Sequence, residues 1–177
     1  MNWRHSIAAS LNSQCMQDLT TELKNRLKGS KRTALLGVGS ELRGDDAAGM
    51  LVAETVSKKS KKVKVFFGST APENLAGEII KYEPSHIIIV DTADIKQKPG
   101  TVLLLNAEDL AQGVSFSTHK LPPKVMMDYF AKELKCKIFI VGIQPKTIKF
   151  DATVSKEVKS SVKMVASAII GATHGKD

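Results

Sequence analysis

The chain has 177 residues, enough for one domain that buries roughly 70% of the surface its unfolded form exposes, so a core forms without covalent staples. An excess of 26 Lys and Arg over 18 Asp and Glu gives a net charge of +8 and favours acidic partners, but aromatics are only 5% of the chain, which disfavours nucleic-acid binding through base stacking. No apolar run approaches the roughly 18 residues of a membrane span, and Met1–Leu11 lacks the apolar stretch of a signal peptide, so a cytoplasmic protein is expected.

Leu11, Cys15, Leu19, Leu23 and Leu27 recur every fourth residue and predict an amphipathic helix that ends near Gly29. Strands and helices then alternate: strand 32–38, helix 46–58, strand 63–67, helix 72–81, strand 86–90 and strand 101–105. A short helix at 107–112, helix 122–134, strand 137–143 and helix 155–170 complete the set. Runs such as Ile87-Ile88-Ile89-Val90 and Val102-Leu103-Leu104-Leu105 are apolar throughout, as expected of strands covered on both faces. The fold class is α/β: a single-domain sandwich with a mostly parallel twisted sheet of about five strands and helices on both faces. The turn at Lys98-Pro99-Gly100 leaves no room for a crossover helix and allows one antiparallel strand. We divide the chain into an N-terminal helical extension (1–30), an α/β core (31–170) and a flexible tail (171–177). Lys58 to Lys64 carries the densest basic block and reads as a solvated helix-to-strand turn. Cys136, within the apolar run Cys136–Val141, reads as a buried free thiol.

Gly39-Ser40-Glu41-Leu42-Arg43-Gly44-Asp45-Asp46 has the glycine spacing of a phosphate-binding loop, but two carboxylates stand where that loop needs Lys and a hydroxyl. Such a loop repels phosphate and suits a cation. Ligands of open α/β sheets bind outside the carboxyl ends of the strands, and three loops bring metal-type side chains there: Asp46, Asp91 and His119. Two carboxylates and an imidazole fit a divalent ion such as nickel or zinc, which could arrive with the substrate. Asp45 reads mainly as a helix N-cap, and Asp94 and Asp45 are candidates for orienting loops or the histidine. Without a Gly-x-Ser-x-Gly elbow a serine hydrolase is disfavoured, and Ser115 and Ser117 remain formal nucleophile candidates. His86 begins its strand at the opposite edge of the sheet, and His5 and His174 lie near the chain ends.

Five landmarks in order carry a family resemblance: Gly37-Val38-Gly39 with Gly44-Asp45-Asp46; Gly68-Ser69-Thr70-Ala71-Pro72-Glu73-Asn74; Ile88-Ile89-Val90-Asp91-Thr92-Ala93-Asp94; Ser117-Thr118-His119 with Pro122; and Gly142-Ile143-Gln144-Pro145. From Ala34 to Ile170 the chain resembles the nickel-iron hydrogenase maturation endopeptidases, most closely the branch serving hydrogenase 3 and related membrane-bound hydrogenases. The resemblance implies an aspartic-type endopeptidase that removes a C-terminal extension from the hydrogenase large-subunit precursor after nickel insertion. It implies that Asp46, Asp91 and His119 meet nickel supplied by the precursor, with no organic cofactor. Asp46 is also the candidate general base. About thirty residues precede the first strand, a departure from the usual family pattern; this extension could cover a sheet edge, contact the precursor or mediate self-association. A self-sufficient zinc hydrolase and a non-enzymatic metal-sensing module are the alternatives.

Overall fold

The continuously apolar segments form the centre of a mixed sheet in a computed structural model of the chain, which describes residues 6–7, 13–112, 115–116 and 122–174. In chain order the elements are β1 (Ser6–Ile7), α1 (Ser13–Arg26), β2 (Thr33–Val38), α2 (Ala48–Lys59), β3 (Val63–Ser69), α3 (Ala76–Tyr82) and β4 (His86–Asp94). There follow β5 (Val102–Leu105), β6 (Ser115–Phe116), α4 (Pro123–Leu134), β7 (Lys137–Ile143) and α5 (Lys156–His174). Turns of 3-10 helix lead into α2 at Gly44–Ala47 and into α3 at Pro72–Leu75.

The strand order is β1-β5-β7-β4-β2-β3, with β6 paired to the end of β4. β3, β2, β4 and β7 are parallel, and β5 is antiparallel to β7. The short turn after β4 does produce the antiparallel strand, but β5 sits one place away, because β7 occupies the position beside β4. The sheet exceeds the expected five strands through two two-residue strands, β1 and β6, too short to leave a hydropathy period.

Pleating divides β2 and β4 between two cores. Leu35, Ile88 and Val90 face α1, α2 and α5, while Leu36, Ile87 and Ile89 face α3 and α4. Gly49 lets α2 press onto the sheet: a Cβ there would lie 2.2 Å from the carbonyl oxygens of both Val38 and Val90. The start of α2 is thereby seated on the carboxyl ends of β2 and β4.

The N-terminal extension is part of the packed structure. β1 adds antiparallel to β5 and α1 packs along α5, burying Leu19, Leu23 and Leu27, each worth about 2 kcal/mol on area grounds. It covers the sheet edge that β5 would otherwise present.

Three local expectations change. α5 continues to His174, beyond the expected start of the tail at 171, because Ala172 and Thr173 are buried and the Thr173 hydroxyl donates to Ile169 O. β4 continues past Val90 to Asp94, because Asp91 and Thr92 still pair with Gly142 and Ile143 of β7. Cys136 is only partly buried, at the entry to β7, whereas Cys15 is the buried thiol; burial pushes both thiols above their ordinary range. Among the described residues no helix is long and apolar enough to cross a membrane.

Candidate functional site

The loop after β2 doubles back on itself to surround a carboxylate. Gly39 has φ of +130°, and a Cβ there would stand 1.8 Å from the Asp46 carbonyl oxygen, a conformation and a clearance that only glycine provides. This fold-back brings Ser40 N–H to donate to Asp46 Oδ2 at 2.9 Å. The Thr92 hydroxyl, from the end of β4, donates to Asp46 Oδ1 at 2.8 Å, and Asp46 is wholly buried.

Thr92 also engages the second predicted carboxylate: its N–H donates to Asp91 Oδ1 at 2.7 Å, and Asp91 is 1% exposed. One residue therefore ties Asp91 to Asp46 at the carboxyl edge of β2 and β4. Alternation along β4 puts Thr92 on the α2 face and Asp91 on the other, so the two carboxylates flank the strand end. A carboxylate has about four acceptor positions, and these bonds are compatible with an additional donor or cation at each. The third predicted ligand, His119, lies outside the described residues, as do Ser117 and His5. Among the described residues no group of three or more His, Cys, Asp or Glu is arranged to hold a metal ion.

Asp45 does not cap the helix that follows it; neither the 3-10 turn nor α2 has a side-chain cap. Its fully buried carboxylate instead reaches across the molecule. Oδ2 accepts from Lys146 N–H at 2.7 Å, Thr147 N–H at 3.1 Å and the Ser155 hydroxyl at 3.0 Å, while Oδ1 accepts from Ser155 N–H at 2.6 Å. The backbone of Asp45 adds a bond to Thr147 O at 2.9 Å. Asp45 thus fastens the segment between β7 and α5 to the β2 loop.

Asp94 makes no contact of this kind with Asp46. It pairs with Lys96, whose ammonium holds the Asp94 carboxyl below the usual carboxylate range, and it receives a long bond from Gln144 Nε2 at 3.4 Å. Gln144 Oε1 accepts from Ile95 N–H at 2.8 Å and Gln97 N–H at 3.3 Å, shaping the loop after β4. Ser115 is exposed on β6 and pairs with Asp94 through the backbone. His86 is buried at the start of β4, at the far edge, with Nδ1 3.1 Å from Ser85 Oγ.

The chain and its fold have counterparts among known proteins. The family model HycI, described as hydrogenase maturation protease, matches residues 50–172. The hydrogenase 3 maturation protease of Escherichia coli K12 is 32% identical over 77% of this chain and 88% of its own length. The chain belongs to the hydrogenase maturation protease family. Two solved structures agree: a [NiFe] hydrogenase maturation protease, HycI, of Thermococcus kodakarensis has a TM-score of 0.79 at 26% identity, over 87% of this chain and 99% of that one. The solution structure of the E. coli endopeptidase HycI has a TM-score of 0.73 at 29% identity, covering 79% and 90% respectively.

The maturation protease is accordingly a peptide hydrolase. The matched stretch includes Asp91 and the whole of β4 but begins after Asp46. Thr92, Gln144 and Ser155 were not singled out from sequence, although Thr92 and Gln144 lie inside quoted landmarks. For Thr92 and Gln144 the signal was position, polar residues that close apolar strands at the ligand-binding edge; Ser155 stands at the head of α5 and its partner Asp45 is 110 residues away.

Proposed function

We propose that this protease removes the C-terminal extension of the nickel-iron hydrogenase large-subunit precursor after nickel insertion, and that it recognises the inserted nickel through Asp46, Asp91 and His119. Nickel is here part of the substrate. The observation that supports the reading is the tie through Thr92, which holds two buried carboxylates at the edge where α/β folds bind ligands.

A borderline ion accepts carboxylate oxygen and imidazole nitrogen, so this donor set suits nickel held partly by the precursor's own ligands. Anchoring the precursor at that point brings its scissile peptide to the same edge and removes most of the orientational cost of the reaction. Asp46, oriented by Ser40 N–H and the Thr92 hydroxyl, accepts a proton from the water that attacks the peptide carbonyl, and the proton passes to the leaving amine. A cytoplasmic site of action belongs to the same proposal and is checked by cell fractionation.

The test uses the nickel-loaded precursor with Asp46→Asn and His119→Ala enzymes. Both variants should melt cooperatively and leave the precursor at full length on a denaturing gel. Complete processing by either would remove that residue from the mechanism.

A further inference from the structure

Among the described residues, the two most exposed large apolar side chains are Leu42 (65%) and Phe150 (71%), and both lie on the loops that Asp45 fastens together. Isolated exposed apolar residues are ordinary and need no explanation. These two differ in how they are held. Asp151 N–H donates to Leu42 O at 2.8 Å, joining the two tips through the backbone. Behind them stands the fully buried Asp45 carboxylate with its four bonds to Lys146, Thr147 and Ser155. The approach is so close that a Cβ on Gly44 would lie 2.9 Å from Thr147 O and 3.2 Å from Ala152 Cβ. Two exposed apolar side chains thus stand on loops whose backbones are already tied together, and loops held in place lose less entropy when a partner binds.

We propose that Leu42 and Phe150 form an apolar lip that grips an apolar segment of the precursor polypeptide near its scissile bond, and that Asp45 is the positioning residue that sets this lip beside Asp46. The inference rests on the reading that Asp46 acts on the precursor. Leu42 is four residues from Asp46 on one loop, and Asp45, next to Asp46, holds the other; the lip is continuous with the reacting edge. The occupant is therefore the polypeptide that Asp46 acts on. Nickel recognition and lip contact then supply separate parts of the affinity, one reading the metal and the other the chain.

The experiment measures kcat and KM for purified nickel-loaded precursor with the full-length enzyme carrying Leu42→Ser and Phe150→Ser together, and with Leu42→Met and Phe150→Leu as conservative variants. Loss of a contact pair of hot-spot strength, about 2 kcal/mol, raises KM roughly thirtyfold. Turnover at saturation and thermal midpoint should hold, because both side chains are exposed, and the conservative pair should restore most of the affinity. An unchanged KM overturns the lip. A dimer that the serine pair dissociates while KM stays constant assigns the patch to a second copy and also overturns it. Asp46→Asn in parallel separates the two readings: if it cleaves normally the site assignment fails, whereas a dead Asp46→Asn beside a serine pair of normal KM rejects the lip alone.

Discussion

Asp45→Asn is nearly isosteric and isolates the clamp between the β2 loop and the head of α5. The amide can keep its oxygen toward Lys146, Thr147 and the Ser155 hydroxyl, but its NH2 then faces Ser155 N–H across 2.6 Å, donor against donor. One bond to a charged acceptor is lost, at about 2 kcal/mol, and three others drop from charge-assisted to neutral at roughly half their strength. Relief from burying a charge returns part of this, so we expect a net loss of about 3 kcal/mol. For a chain of this size that corresponds to a fall in melting temperature of roughly 6–12 °C. Urea denaturation gives the free energy, and amide hydrogen exchange localises it: Lys146, Thr147 and Ser155 should lose protection before the amides of β4 and β7 do. A change below about 0.5 kcal/mol, the range of ordinary surface substitutions, would mean that Asp45 does not clamp the two loops.

Thr92→Val keeps the volume but removes the hydroxyl from Asp46; stability should fall by about 2 kcal/mol and precursor cleavage should slow, while Thr92→Ser should recover cleavage in the same assay. Leu23→Ala, at a fully buried position on α1, should cost about 3 kcal/mol in urea unfolding if the extension belongs to the core, and almost nothing if α1 docks only loosely. Lys96 lowers the Asp94 carboxyl from its ordinary 3.8, so the pair contributes stability above that pH, and the contribution is lost as pH falls through the lower folded value. Lys96→Met should therefore flatten the acid limb of the stability curve below about pH 4, a small effect that added salt reduces because the pair is exposed.

Continuous apolar runs placed the central strands because burial on both faces leaves no polar side chain to interrupt them, and β7 runs over the expected residues, Lys137–Ile143. The same criterion ended β4 too early. Asp91 and Thr92 are as buried as the valine before them, yet their polarity is satisfied by hydrogen bonds that hydropathy does not register. Asp45 was misread for a related reason: a cap is a local pattern, whereas its partners lie 101 to 110 residues away. Only the assembled sheet brings Ser155 to it. The basic block from Lys58 to Lys64 falls at the expected α2–β3 turn, running from the end of α2 into β3 with its lysines exposed to water.

Under the proposed function, cleavage requires nickel already inside the substrate. The requirement is checked by mixing the enzyme with large-subunit precursor, with and without inserted nickel, and measuring the C-terminal mass of the product. The nickel-loaded form should give one shortened product and the nickel-free form should stay intact. Equal shortening of both would contradict it.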